Sequence, residues 1–229
     1  PISESTAPRR PFTAVALYAS TFAVMTLVQL GLIQASGRGA AFGTTGLFFG
    51  LVLLAQHAYM ILIAWWLLGA PRDRASLGFV PVTPAAFARA LACALGLVGV
   101  AVAVTRLAPD LGASPMGKLL EHVPVRYAVG FGAMLAPLSE ELFFRGALVH
   151  AFGRRGPVWG VGVATAVFTL AHALQLWGAW AGLVPIAAVA LVNGWLRVRS
   201  KALTEPWLVH VIYNGLLSSV LYVAGPAAS

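Results

Sequence analysis

Acidic residues are scarce in this sequence: seven Asp and Glu stand against fifteen Lys and Arg in 229 residues, and charged residues of both signs make up only 10% of the chain. A soluble globular chain carries about 25%, so this supply cannot cover a water-facing surface. Cysteine is scarcer still. Cys93 stands alone, which excludes an internal disulfide, and its place in an apolar run makes it a packing residue. Clustered positive charge is missing too. The net charge of +8 would suit a polyanion, but the cations are scattered between apolar runs and build no binding face, so no nucleic-acid partner is expected. There is no internal repeat, which disfavours an inverted-repeat transporter.

Apolar residues are abundant, at 59% of the chain and a mean hydropathy of +0.85. Residues 12–35, 41–69, 85–105, 125–151, 157–177, 179–196 and 205–224 form runs interrupted by few charges. A ~30 Å hydrocarbon core needs roughly 20 helical residues at 1.5 Å each. The runs predict an all-α, polytopic transmembrane bundle of about seven spans, or eight if the long fourth region breaks. Residues 1–229 read as one integral-membrane domain with the lipid bilayer as its partner. The Pro- and Gly-rich stretches 70–84 and 106–124 read as loops, with a short surface helix around "MGKLLEHV" in the second. In "LTEPW", Thr204 is expected to cap a helix that tolerates Pro206 in its first turn. "APRRPF" resembles a twin-arginine signal only weakly, and the long apolar run after it reads as a retained anchor.

Seven spans with the N-terminus inside place ten cations on the cytoplasmic side, among them Arg9, Arg10, Arg72, Arg74, Arg154 and Arg155, against four outside, Arg38, Arg106, Lys118 and Arg126. The positive-inside rule therefore predicts N-in, C-out.

Five of the acids fall in the tail, in loops or at a helix start (Glu4, Asp73, Asp110, Glu121 and Glu205), which leaves Glu140 and Glu141 deep within a span. An ionised carboxylate at the bilayer centre costs roughly 2.5–3.5 kcal/mol on insertion scales, so both must face protein or a water-filled cavity. Glu141 and Arg145 are four apart and share a helix face as an ion pair. Glu140 points about 100° away and needs another partner. Pro137 removes a backbone donor just upstream and is expected to bend the helix.

Two later runs supply partners. "FTLAH" puts Phe168 and His172 on one face, and "HVIYN" does the same for His210 and Asn214. A lone intramembrane histidine is usually a packing residue; two at overlapping depth, with an asparagine one turn on, are not explained so easily. His57 reads as an interhelical hydrogen-bonding residue, and Ser139 as a helix serine bonded to backbone. A carboxylate beside an imidazole can position and deprotonate water, and a second imidazole with a carboxamide can stabilise an oxyanion. Glu140, His172, His210 and Asn214 thus suit hydrolysis of an acyl bond without a covalent intermediate. HExxH is absent, neither aspartate lies in a span, and the Gly-Ala-Ser at 112–114 sits in a loop before proline.

Together, "EELFFR", "FTLAH" and "HVIYN" resemble, in order and on separate apolar runs, the EExxxR, FxxxH and HxxxN motifs of the CAAX protease and bacteriocin-processing (Abi) family, whose members are type II CAAX prenyl protease-like. The resemblance covers about residues 125–224. It implies an all-helical intramembrane endopeptidase, with Glu140 and His172 activating water, His210 and Asn214 stabilising the oxyanion, and Glu141, Arg145 and Phe168 supporting the site. It also implies a membrane-anchored protein or peptide substrate cut near its C-terminus or anchor. The Ala/Gly/Arg-rich style points to a bacterial cytoplasmic membrane. No cofactor is expected, Asn214 being a better oxyanion donor than metal ligand; the alternative is zinc on Glu140, His172 and His210. The rival readings are a non-catalytic immunity or binding protein on the same fold, and a proton-coupled carrier using Glu140 and the histidines as a relay.

Overall fold

The computed structural model describes residues 11–36, 42–68, 77–108 and 114–223, and every regular element among them is helical. In chain order these are α1 (Pro11–Ser36), α2 (Phe42–Leu67), α3 (Pro84–Leu107), α4 (Pro115–Leu120), α5 (Val123–Glu140), a π-helical segment (Glu141–Leu148), α6 (Val149–Gly153), α7 (Pro157–Ala171), a 3₁₀ turn (Trp180–Gly182), α8 (Leu183–Ser200) and α9 (Thr204–Val223). The expected all-α class is present. Arg9, Arg10, Arg38, Arg72 and Arg74, used for sidedness, lie outside the described residues, as do Glu4, Asp73 and Asp110.

Of the seven expected spans, three stand out by length and composition among the described residues. Gly46–Leu67, Pro84–Leu107 and Trp180–Ser200 are long and apolar enough to cross a bilayer. Val15–Val28 and Pro157–Ala171 are apolar but shorter, and the continuous α5–π–α6 rod carries Arg126, Glu140, Glu141 and Arg145. Continuous apolar runs in a sequence do not reveal where a helix turns away or takes up charge. Three such helices, with Leu62, Trp66, Leu95 and Phe131 each more than half exposed on the outside, make this an integral membrane protein.

Helix ends follow local chemistry. Thr83 caps α3, its Oγ1 accepting from the Ala86 N–H at 3.2 Å, and Pro84 follows at the position that needs no donor. Ser114 caps α4 by accepting from the Gly117 N–H at 3.0 Å. The expected cap at Thr204 is absent. Thr204 is itself the first residue of α9, and its hydroxyl instead accepts from the Val80 N–H and donates to the Val80 carbonyl, each at 2.8 Å. The preceding Leu203 N–H donates to Gly78 O at 2.7 Å, and Glu205 pairs with Arg89 of α3. The turn at Gly78 and the residues through Val80 therefore bind the start of α9, a long-range pairing with no local sequence signal.

Packing relies on close approach, because lipid supplies no hydrophobic force between helices. A Cβ on Gly132 of α5 would lie 3.0 Å from Leu53 Cδ1 of α2, and one on Gly194 of α8 would lie 2.8 Å from Val161 Cγ1 of α7. All eight residues of the π segment are buried. Tyr18 of α1 packs its ring 4.6 Å from Phe143 and 5.5 Å from Phe144, so the first helix closes over the segment that carries the charges. Cys93 packs among small and apolar residues shared by α3, α8 and α9.

Candidate active site

The π segment begins at Glu141, directly after Glu140. Its ladder is shown by the Val149 N–H bonding to Phe144 O, five residues back. Just upstream, Pro137 has no N–H, so the Ala133 carbonyl four residues earlier has lost its helical donor. Asn214 of α9 supplies the missing one: its Nδ2 donates to Ala133 O at 2.7 Å. A proline on one helix and an asparagine on another are thus two halves of one hydrogen bond.

Glu141 is fully buried, and its Oε1 accepts from Arg145 Nη1 at 3.0 Å, Asn193 Nδ2 at 2.9 Å and His210 Nδ1 at 2.8 Å. The expected pair with Arg145 is present, and it belongs to a larger knot joining the π segment, α8 and α9. Arg145 also donates from Nη2 to Ala190 O at 3.2 Å, and its guanidinium lies 4.8 Å from the Phe168 ring centre. Phe168 stacks on His172 with centroids 4.7 Å apart and meets Phe144 edge-on at 4.9 Å. It therefore fixes the Arg145 plane on one side and the His172 ring on the other.

The hydrogen bonds decide which ring nitrogens face the open space. His172 Nδ1 lies 2.8 Å from the Phe168 carbonyl, which can only accept, so Nδ1 carries the proton and neutral His172 presents a bare Nε2. Ser139 Oγ donates to Ala136 O at 2.9 Å and lies 2.7 Å from His57 Nδ1. With that hydroxyl proton committed, His57 Nδ1 is a donor too and its Nε2 is also bare. His210 gives its Nδ1–H to Glu141, and its Nε2 lies 3.5 Å from Glu140 Oε2.

These groups share one cavity of about 340 Å³, lined by Glu140, His172, His210 and Asn214 together with Gln56, His57, Phe168, Gln175 and Tyr213. All four residues expected to do chemistry are brought together, from three separate sequence regions. No hydrogen bond joins Glu140 to His172; the closest partner of Glu140 is His210. Two groups escaped the sequence reading. Asn193, the third donor to Glu141, sits mid-run in "LVNGW", and the depth argument applied to the glutamates would have found it. Gln56 lines the cavity from α2 in a region without a motif, and so does His57, which was expected only to bond across helices, as it does with Ser139.

The zinc alternative needs Glu140, His172 and His210 to converge on one point. Among the described residues, no three His, Cys, Asp or Glu side chains are grouped to hold a metal ion. Nδ1 of His172 and of His210 bonds a protein acceptor, which leaves Nε2 as the nitrogen either ring would offer a metal.

Fold and cavity together define a helical membrane protein with a polar chamber of acid, imidazole and amide groups inside an apolar shell. Residues 123–216 match the family model described as type II CAAX prenyl endopeptidase Rce1-like, a family of proteases. The match spans all three motifs and ends two residues beyond Asn214. No curated protein and no solved structure matches the chain.

Proposed function

We propose that this protein is an intramembrane endopeptidase that hydrolyses a peptide bond near the C-terminus or membrane anchor of a membrane-associated protein or peptide. The observation that carries the reading is the shared cavity: Glu140, the bare Nε2 of His172, His210 Nε2 and the Asn214 amide all border the same space.

Water held between Glu140 and His172 Nε2 gives up a proton to that pair as its oxygen attacks the scissile carbonyl. The carbonyl electrons move onto oxygen, and the oxyanion accepts from Asn214 Nδ2, which keeps one N–H after bonding Ala133, and from Nε2–H of protonated His210. Collapse of the adduct breaks the C–N bond, and the proton taken from water passes to the leaving amine. Glu141 touches no reacting atom. It orients His210 through Nδ1 and is held by Arg145 and Asn193. The chemistry requires no metal in this reading. The seven long helical stretches cross the bilayer with the N-terminus cytoplasmic, in a bacterial cytoplasmic membrane.

Purified Glu140→Ala and His172→Ala variants should cleave a membrane-anchored peptide at least 100-fold more slowly than the native chain while melting at a similar temperature, with the new termini mapped by mass spectrometry. Full activity in either variant overturns the water-activating pair. Activity that vanishes with a chelator and returns only with stoichiometric zinc overturns the metal-free mechanism.

A further inference from the structure

A second cavity, of about 220 Å³, lies at the opposite end of the π segment, where the end of α6, the start of α7 and the end of α8 meet. It is lined by His150, Arg197 and Lys201 with Val149, Gly153 and Pro157. Arg197 is only 8% exposed. Its Nε donates to Arg145 O at 3.2 Å, which uses one of five N–H groups, and no acid among the described residues pairs with it. A buried guanidinium without a counter-charge is costly and calls for an anion. The described neighbours do not supply one: His150 lies within electrostatic reach of Arg197 and Arg154, both cationic.

The plain alternative is that cations gather at the C-terminus of α8 to complement its dipole. That accounts for exposed Arg199 but not for a buried charge with free donors. Nor does it account for Lys201, the one non-glycine residue with positive φ among the described residues, at 55°. Glycine is the favoured residue at such a helix end, so the lysine is kept at a conformational cost, and its side chain lines the cavity. Facing it, the first turn of α7 has no side-chain cap and adds a partial positive charge.

We infer that this cavity binds the phosphate of an anionic phospholipid headgroup. The surroundings favour lipid over a soluble phosphate. Arg197 lies three residues from the end of Trp180–Ser200, a segment long and apolar enough to cross the bilayer. Val158 and Trp159 beside the cavity are 84% and 61% exposed, and Arg199 rests over the Trp195 ring at 5.1 Å, as side chains do at the membrane–water boundary. A basic pocket between span ends with apolar surface next to it suits a headgroup above and acyl chains alongside. Because Arg197 holds the Arg145 carbonyl, an occupant would also brace the segment that carries Glu141.

The test uses the full chain purified in a neutral detergent and titrated with phosphatidylglycerol, phosphatidylcholine or glycerol phosphate, followed by native mass spectrometry and thermal melting. The inference expects phosphatidylglycerol to bind at least tenfold more tightly than phosphatidylcholine, to raise the melting temperature, and to lose at least tenfold in affinity in Arg197→Gln and in Lys201→Gly. The glycine variant suits the backbone at 201 and gives the answer if Arg197→Gln does not fold. Equal binding of the two lipids, or undiminished phosphatidylglycerol binding by the folded variants, overturns it. Glycerol phosphate binding as tightly as the lipid also overturns it, by making the site one for soluble phosphate.

Discussion

Pro137 and Asn214 show how far a single residue's chemistry reaches. Replacing Asn214 by Ala leaves the Ala133 carbonyl with no donor, at a cost of about 1–3 kcal/mol. Replacing Pro137 by Ala as well restores the N–H in the helix. The Pro137→Ala/Asn214→Ala double variant should therefore regain most of the stability lost by Asn214→Ala, but not its peptidase activity, because the oxyanion donor is still missing. Thermal melts and cleavage assays on the two single variants and the double would show this; activity returning with stability would leave Asn214 a purely structural residue. The sequence revealed the four cavity residues, Asn214 among them, one by one through their polarity in apolar runs, and Pro137 through its missing N–H. It did not reveal that two of them satisfy each other, because that bond joins positions 81 apart.

Among the elements, α7 is held by the smallest side chains. A Cβ on Gly160 would lie 2.6 Å from Val149 O and 3.0 Å from Gly153 backbone atoms, whereas one on Gly162 would meet nothing within 4 Å. Backbone cannot yield as a flexible side chain can, so Gly160→Ala should lower the melting temperature clearly. Gly162→Ala should be neutral or gain up to about 1 kcal/mol from helix propensity. A Gly160→Ala protein melting like the native one would mean that α6 and α7 are not in contact. The helices themselves were legible from apolar runs, and the short α4 from its local pattern. Thr204 was not: a Thr before Glu and Pro reads as a cap, and only Val80, distant in sequence, takes its hydroxyl away. The π segment left no trace either, since "EELFFRGAL" is equally regular as an α-helix by composition.

For the whole molecule, the family match starts at residue 123, yet the site depends on what precedes it. Tyr18 packs on Phe143, and His57 donates to Ser139 beside Glu140. Residues 123–216 expressed alone should therefore fail to form a compact, cooperatively melting protein, while the full chain does so; circular dichroism and size exclusion in detergent would decide. A folded fragment would make α1 and α2 accessory. The π segment has one more consequence at this scale. An i→i−5 ladder holds one residue more per ring than an α-helix. Deleting one residue within 141–148 would let the rod revert to an ordinary helix without breaking it, and would keep the residues beyond it close to their present direction, because the wider ring already absorbs one extra residue. The segment acts as a phase setting between the two chambers: the catalytic acids face one way and Arg197's partner carbonyl another. A single deletion there would be read out as misaimed side chains within the segment, Glu141 and Arg145 among them, rather than as an unfolded chain.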